Sequence, residues 1–242
     1  MNDAGTILTR AFKIPGTNLQ FVYNPETLFY TWVVIFAILI FSVLIARTIK
    51  RPPSRLFAGF ELLYTAFLEM AEDSMGPDGR KFTPLVVTIF LFVLISNWLG
   101  VVPGLMSPTQ DLNTCLGLGL LVFVIAHASA IAKKGFVKYL KSYLEPFFLF
   151  LPINIIGEIG KLVSHSFRLF GNIFAGAIIF ALTGPVIIKT FDAIGMPEYA
   201  ASPFIFGAYL TSQAFFGLFV GTVQALVFAL LALTYIAILR EA

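Results

Sequence analysis

Charge is scarce in this chain of 242 residues. Asp, Glu, Lys and Arg together make up 12%, about half of the roughly 25% found in soluble domains. Such a chain cannot cover a water-facing surface, which excludes an ordinary soluble globule and a disordered chain. Cysteine is nearly absent. The single Cys115 rules out an intramolecular disulfide and a cysteine metal cage. Two His residues argue against a His-rich metal site, and no cofactor motif is present. The net charge of +3 is too small to suit a polyanion, so nucleic acid is excluded as a partner. No basic segment followed by a short apolar core and a small-residue cleavage site opens the chain, so no removable signal peptide is expected. An inverted repeat of the kind used by secondary transporters is also missing.

What is present is apolar: 58% of residues are hydrophobic, 27 are Phe, and the mean hydropathy is +0.90. The fold class expected is an all-α integral membrane protein forming one membrane domain over 1–242. An external N-terminal segment, 1–26, precedes an apolar run at 28–49 that is long enough to span the ~30 Å hydrocarbon core. Arg47, Lys50, Arg51 and the breaker Pro52-Pro53 close it. Over 55–75, Leu56, Phe60, Leu63, Phe67 and Met70 recur at helical spacing among Glu61, Glu69, Glu72 and Asp73. This pattern predicts an amphipathic helix on the cytoplasmic side, lying on the membrane or packing on protein. Further spans are expected at 83–102 and 115–132. Two stretches, 147–188 and 203–239, are too long for upright spans. They predict long tilted helices or re-entrant hairpins, with Pro152 and Pro185 breaking the first.

The basic residues set an orientation. Arg47, Lys50, Arg51, Arg55, Arg80, Lys81, Lys133, Lys134, Lys138, Lys141 and Arg240 fall on one side, against Arg10, Lys13 and Lys189 on the other. Eleven against three places the N-terminus outside and the C-terminus in the cytoplasm.

Lys161 and Arg168 lie inside an apolar stretch instead. Between 152 and 180, the polar residues Glu158, Lys161, His165, Arg168 and Asn172 are spaced 3, 4, 3 and 4 apart. That repeat puts all five on one helical face. Such a stripe faces protein or a water-filled crevice rather than lipid. Arg168 is the most informative of them. An Arg at mid-membrane costs about 2.5–3.5 kcal/mol on insertion scales and, unlike Lys, cannot shed its proton. Glu158 is ten residues away, roughly 15 Å along a helix, and too far for a direct pair. The other apolar stretches carry no Asp or Glu, so elimination assigns the counter-charge to another subunit. Blander readings stand beside this one. Arg168 could bond backbone carbonyls or snorkel, Glu158 could simply neutralise Lys161, and His165 and His127 could be packing residues. The last stretch carries Thr211, Ser212, Gln213, Thr222 and Gln224. Gln213 and Gln224, eleven residues apart, share a face on a regular helix, either as interhelical glue or along a water-lined path.

Arg168-Leu169-Phe170-Gly171-Asn172, with Pro152-Ile153-Asn154 and Glu158 before it and Ala175-Gly176 after it, resembles the signature of subunit a of F-type ATP synthases. Val223-Gln224-Ala225-Leu226-Val227-Phe228, followed by Leu233-Thr234-Tyr235-Ile236, resembles that family's last helix. The resemblance covers nearly the whole chain and is of the bacterial or plastid type. It implies a non-catalytic stator subunit carrying protons or sodium ions through two offset half-channels. The arginine matching Arg168 would face a ring of c-subunits bearing carboxylates. Asn172 and Gln224 would lie near it, Glu158 and His165 would border the cytoplasmic half-channel, and Asn172 and Gln213 the outer one. The partners implied are the c-ring, b-type peripheral stalk subunits, other ATP synthase subunits and the lipid of a bacterial inner membrane.

The chain departs from the family pattern at Ala177, where many relatives carry Glu, and at Gly217, where some carry His. That leaves water and amides, or an acid elsewhere, for the outer path, with proton and sodium both open. A stand-alone transporter or channel is the competing reading, but it needs its own acid beside Arg168. An intramembrane hydrolase using Ser164 or Ser166 with His165 fails because neighbouring helical residues point about 100° apart.

Overall fold

The computed structural model describes residues 10–13, 20–48, 55–102, 104–144 and 147–241. The expectations placed on Lys50, Arg51, Pro52-Pro53 and Pro103 lie outside the described residues. An antiparallel ribbon, β1 (Arg10–Lys13) with β2 (Gln20–Tyr23), pairs Arg10 with Tyr23 and Lys13 with Gln20. Every later regular element among the described residues is helical, so the chain is an all-α membrane protein with one small N-terminal ribbon.

The helices are α1 (Pro25–Thr48), α2 (Arg55–Met75), α3 (Thr83–Leu99), α4 (Leu112–Lys134), α5 (Phe136–Ser142), α6 (Leu151–Ala193), α7 (Ser202–Ser212) and α8 (Gly221–Glu241). A π-helical segment, Gln213–Val220, joins α7 to α8 without a break. Four helical stretches are long and apolar enough to cross a membrane. Counting the bent pair of α2 and α3 as one more raises that to five. The 106° bend between α2 and α3 lays α2 across the direction of the bundle. A single 3-10 stretch, Gly76–Lys81, makes the corner. Gly79 is required there, because a Cβ on it would collide with the backbone at Ala71.

Proline and polar caps mark the starts of helices. Pro84, Pro152 and Pro203 sit in the first turns of α3, α6 and α7, where a missing N–H costs nothing. The Asp111 carboxylate accepts the Asn113 N–H at the head of α4 (2.9 Å). Gly135, at φ 83°, turns the chain from α4 into α5.

The core lies between α3, α4 and α8, with α2 across one end. Phe67, Val86, Phe90, Val93, Phe228 and Leu233 are buried within it. Ala225, Ala229 and Ala232 are fully buried on α8, a stripe of small side chains that lets the helices approach closely. Leu169 anchors α6 to this core, and Gly119 of α4 meets Leu162 and Ser166 of α6 so closely that a Cβ would collide.

Otherwise α6 is bare. In its most apolar eighteen-residue window, 6% is buried, against 39% in the stretch ending in α8. Ile153, Ile156, Phe167, Phe174, Leu182 and Val186 all stand exposed. This face needs lipid or another protein against it. At 43 residues α6 is roughly 65 Å long, about twice the hydrocarbon thickness.

Two expectations are corrected here. Pro185 does not break the long helix, which continues to Ala193. Membrane helices tolerate proline where neighbours steady the turn. Beside it, Gly184 is buried and the Tyr209 hydroxyl packs so close that a Cβ would lie 2.6 Å away. Gln213 and Gln224 do not keep the three-turn spacing of a regular helix either. The π segment widens the turns between them and shifts their phase.

Candidate functional site

Four of the five polar residues of α6 divide between two cavities. The first, about 450 Å³, lies between α4, α6 and α8. Lys161, His165 and Arg168 line it from α6, with Thr234 and Tyr235 from α8 and Gly119 from α4. The second, about 360 Å³, holds Asn172 of α6 and Gln213 of the π segment. Thus Arg168 stands at the edge of one cavity, and Asn172, one turn along, at the edge of the other.

Arg168 is exposed on the helix surface and makes no ion pair and no hydrogen bond among the described residues. Its neighbour Leu169 is fully buried, which fixes the rotation of α6 and points the guanidinium away from the core. His165 packs edge-on against Phe228, with ring centroids 4.1 Å apart. Its Nε2 is buried without a partner in the chain. Glu158 does not line the first cavity but holds two residues that do. It accepts a hydrogen bond from Lys161 Nζ at 2.7 Å and another from the Tyr235 hydroxyl at 2.6 Å. The Glu158 side chain is 13% exposed and Lys161 51%, so the pair sits at the mouth rather than in the interior.

Next to Glu158 is a cluster that sequence reasoning missed. His127 Nε2 lies 3.2 Å from the Tyr143 hydroxyl, and Tyr143 lies 2.8 Å from Tyr139. His127 Nδ1 is 2.9 Å from the Phe123 carbonyl and 3.5 Å from the Tyr235 hydroxyl. Asn154 ties α6 to the same corner by donating to the Tyr143 carbonyl (2.9 Å). Burial, then contact with Tyr139 and the nearby Glu158 charge, push the Tyr143 hydroxyl far above its ordinary pKa. Burial also raises Tyr139. Both phenols stay protonated at any physiological pH.

The second cavity has a different chemistry. Its lining is Asn97, Ser107, Gln110, Asn172, Ser212 and Gln213 among apolar and glycine positions that include Ala177 and Gly217. No residue lining it can carry a charge. A buried network braces its wall. Ser107 donates to the Ser96 carbonyl (2.7 Å) and contacts Thr109 (2.6 Å), Thr109 donates to Asn97 Oδ1 (2.9 Å), and Asn97 donates to the Gly221 carbonyl (2.9 Å). Trp98 adds a bond to the Thr222 hydroxyl (3.0 Å). Asn97, Ser107, Thr109 and Gln110 went unnoticed in the sequence because serine, threonine and proline between two spans read as an ordinary connection.

Gln224 lines neither cavity. It is buried at 8% exposure, with Nε2 lacking a partner among the described residues.

Comparison with known proteins identifies the family. Residues 28–237 match the family described as ATP synthase A chain. The ATP synthase subunit a of Desulfosudis oleivorans is 35% identical over 226 residues, covering 90% of this chain and 89% of the relative. That of Geobacter sulfurreducens is 32% identical over 217 residues (88% and 86%), and that of Desulforamulus reducens 32% over 219 (88% and 79%). Matched along nearly its whole helical length, the chain belongs to the ATP synthase A chain family.

Proposed function

We propose that Arg168 is the fixed cation past which the carboxylates of a c-subunit ring travel, and that the two cavities are the ion's two half-paths. Family membership makes the chain the ion-translocating subunit of the membrane sector of an F-type ATP synthase. It is a multi-pass membrane subunit, non-catalytic by itself, and works within the complex with other subunits. The observation that carries the proposal is an unpaired guanidinium on the bare face of α6, set between a charged cavity and a neutral one.

The mechanism follows from charge. A ring carboxylate arriving at Arg168 is favoured in its ionised form, because an opposite charge within ~4–6 Å lowers a carboxyl pKa. Its ion is released into one half-path, and after nearly a full turn another enters from the other. Arg168 never deprotonates, so it also repels any ion moving straight from one cavity to the next. A stand-alone transporter is not favoured, since no acid of this chain pairs with Arg168 among the described residues.

The first cavity is assigned to the cytoplasmic side and the second to the outer side of a bacterial inner membrane, with the N-terminus outside. Supporting this, basic residues gather at the end nearer the first cavity. Arg240 pairs with Asp78 at 2.8 Å, Lys134 donates to the Leu239 carbonyl at 2.8 Å, and Arg80 and Lys81 lie beside Asp78. Glu158, Lys161 and His165 serve the cytoplasmic path, while Asn172 and Gln213 serve the outer one. Gln224, buried on α8, is assigned to the ion path near Arg168. Stalk subunits of the b type complete the set of partners.

Arg168→Ala tests the proposal. Ion-driven ATP synthesis in vesicles is expected to vanish while ATP hydrolysis by the detached catalytic head is unchanged. Normal coupled synthesis by that variant contradicts it.

A further inference from the structure

We propose that Tyr143, His127 and Tyr235 form a proton relay that loads and unloads Glu158 from the side of α5. The proposal rests on the ion-path reading above and adds residues that reading does not use.

The hydrogen-bond directions can be worked out from the partners. His127 Nδ1 faces the Phe123 carbonyl at 2.9 Å, and a carbonyl can only accept. Nδ1 therefore carries the proton and Nε2 is the acceptor. The Tyr143 hydroxyl, 3.2 Å from Nε2, must donate to it. Its oxygen is then free to accept from Tyr139, 2.8 Å away. At the other end, Lys161 donates to Glu158 Oε1 at 2.7 Å and the Tyr235 hydroxyl donates to Oε2 at 2.6 Å. The gap between the two halves is His127 Nδ1 to the Tyr235 oxygen, 3.5 Å. Tyr143 and Tyr235 donate in the direction of the carboxylate, and a small turn of the His127 ring away from the Phe123 carbonyl brings its Nδ1 proton to the Tyr235 oxygen.

A proton crosses this series with its bonds balanced. Tyr143 takes a proton that originates on a hydronium ion at the solvent side, directly or through Tyr139 as Tyr139 is itself reprotonated, and gives its own to His127 Nε2, forming an imidazolium. The imidazolium passes its Nδ1 proton to the Tyr235 oxygen as Tyr235 passes its hydroxyl proton to Glu158. One proton has moved, both phenols are again neutral, and His127 is left as the other tautomer. Rotation of the hydroxyls and the ring restores the starting pattern. Neutralising Glu158 frees Lys161, and Tyr235 already lines the cavity that holds Arg168.

Packing alone does not account for the cluster. Stacking on Phe123, with centroids 3.9 Å apart, and edge contact with Tyr139 would be served equally by phenylalanines. Instead two hydroxyls, one from the turn after α5 and one from α8, reach one imidazole, and the Tyr139 hydroxyl of α5 bonds the first of them. The groups facing His127 are Tyr139 and Tyr143 from that corner, Tyr235 from α8, and Glu158 and Lys161 from α6. The relay thus joins three elements that share no other reason to place polar tips together.

The test uses the whole complex in vesicles, with Tyr143→Phe, His127→Gln and Tyr235→Phe compared against wild type and Arg168→Ala. Passive proton conduction by the membrane sector is expected to fall roughly a hundredfold in each relay variant, the lower end of the range for loss of a positioned proton-transfer group. The ratio of rates in light and heavy water should rise as well. Assembly and ATP hydrolysis by the detached head should stay normal. Wild-type conduction and isotope ratio in Tyr143→Phe and Tyr235→Phe overturn the relay, as do losses fully explained by poor assembly, or sodium-driven rotation indifferent to all three changes. If Arg168→Ala blocks coupling while these variants do not, only the relay falls. If Arg168→Ala couples normally, the ion-path reading falls first.

Discussion

The two cavities beside Arg168 have similar volumes but opposite chemistry. The first is lined by Lys161, His165 and Arg168 and backed by Glu158, which holds Tyr235. The second offers Asn97, Gln110, Asn172 and Gln213 with serine hydroxyls and glycines, and no ionisable group. One can store and relay a proton on side chains. The other can only solvate a passing ion or water. Unlike chemistry on the two sides of one fixed cation would let the two proposed half-paths work by different devices.

The largest effect expected is at the divide itself. Arg168→Lys should lose most coupled synthesis, because lysine lacks the planar fork and can release its proton in apolar surroundings. The measurement is ATP synthesis driven by an imposed ion gradient. Retention of near-normal rates there would make a simple point charge sufficient.

The next effect separates the cavities. Glu158→Gln should change the pH profile of proton conduction, since it removes the carboxylate that accepts from both Lys161 and Tyr235. Asn172→Leu and Gln213→Leu should lower the rate without moving that profile, because neither side titrates. Rates measured across pH in vesicles check both. A shifted profile in the second pair would show that a titrating group serves the neutral cavity after all. Gln224→Leu should be milder than either, since Gln224 lines neither cavity and its Nε2 bonds nothing among the described residues.

How much of this could be read in advance depends on which physical signal carries each residue. Arg168 stood out because a guanidinium inside an apolar run has no cheap escape. The all-helical membrane class followed from apolar runs and scarce charge. Asn97 and Thr109 gave no such warning, because a buried hydroxyl or amide matters only through the partner that the fold brings from over a hundred residues away, as with Asn97 and Gly221. His127 and Tyr235 were hidden for the same reason. The π segment has no compositional mark, so the offset between Gln213 and Gln224 was invisible. Pro185 misled because local propensity says a proline ends a helix, whereas packing of Tyr209 against Gly184 carries the helix through. The short α5 was concealed by its lysines, which read as a basic tail to α4.

The smallest effect expected concerns the basic end of the bundle. Lys81 first, then Arg240, hold the Asp78 carboxyl below its ordinary value. A depressed carboxylate contributes stability above its unfolded pKa, and that contribution is lost as pH falls through the folded value. Asp78→Asn should therefore lower thermal stability slightly at neutral pH, and the difference should close as pH drops below 3.8. The site is solvent-exposed, so the effect is modest. Thermal unfolding of the purified complex against pH reads it directly.

The central claim is that Arg168 finds its anion on a neighbouring, moving subunit. Measuring its guanidinium contacts in a structure of the assembled membrane sector tests this most directly. The account predicts that a ring carboxylate faces Arg168 across the exposed face of α6, at direct or single-water distance, with none of this chain's own acids within about 4 Å. Arg168 paired instead with Glu158 or another acid of its own chain, or turned away from the ring, would contradict it.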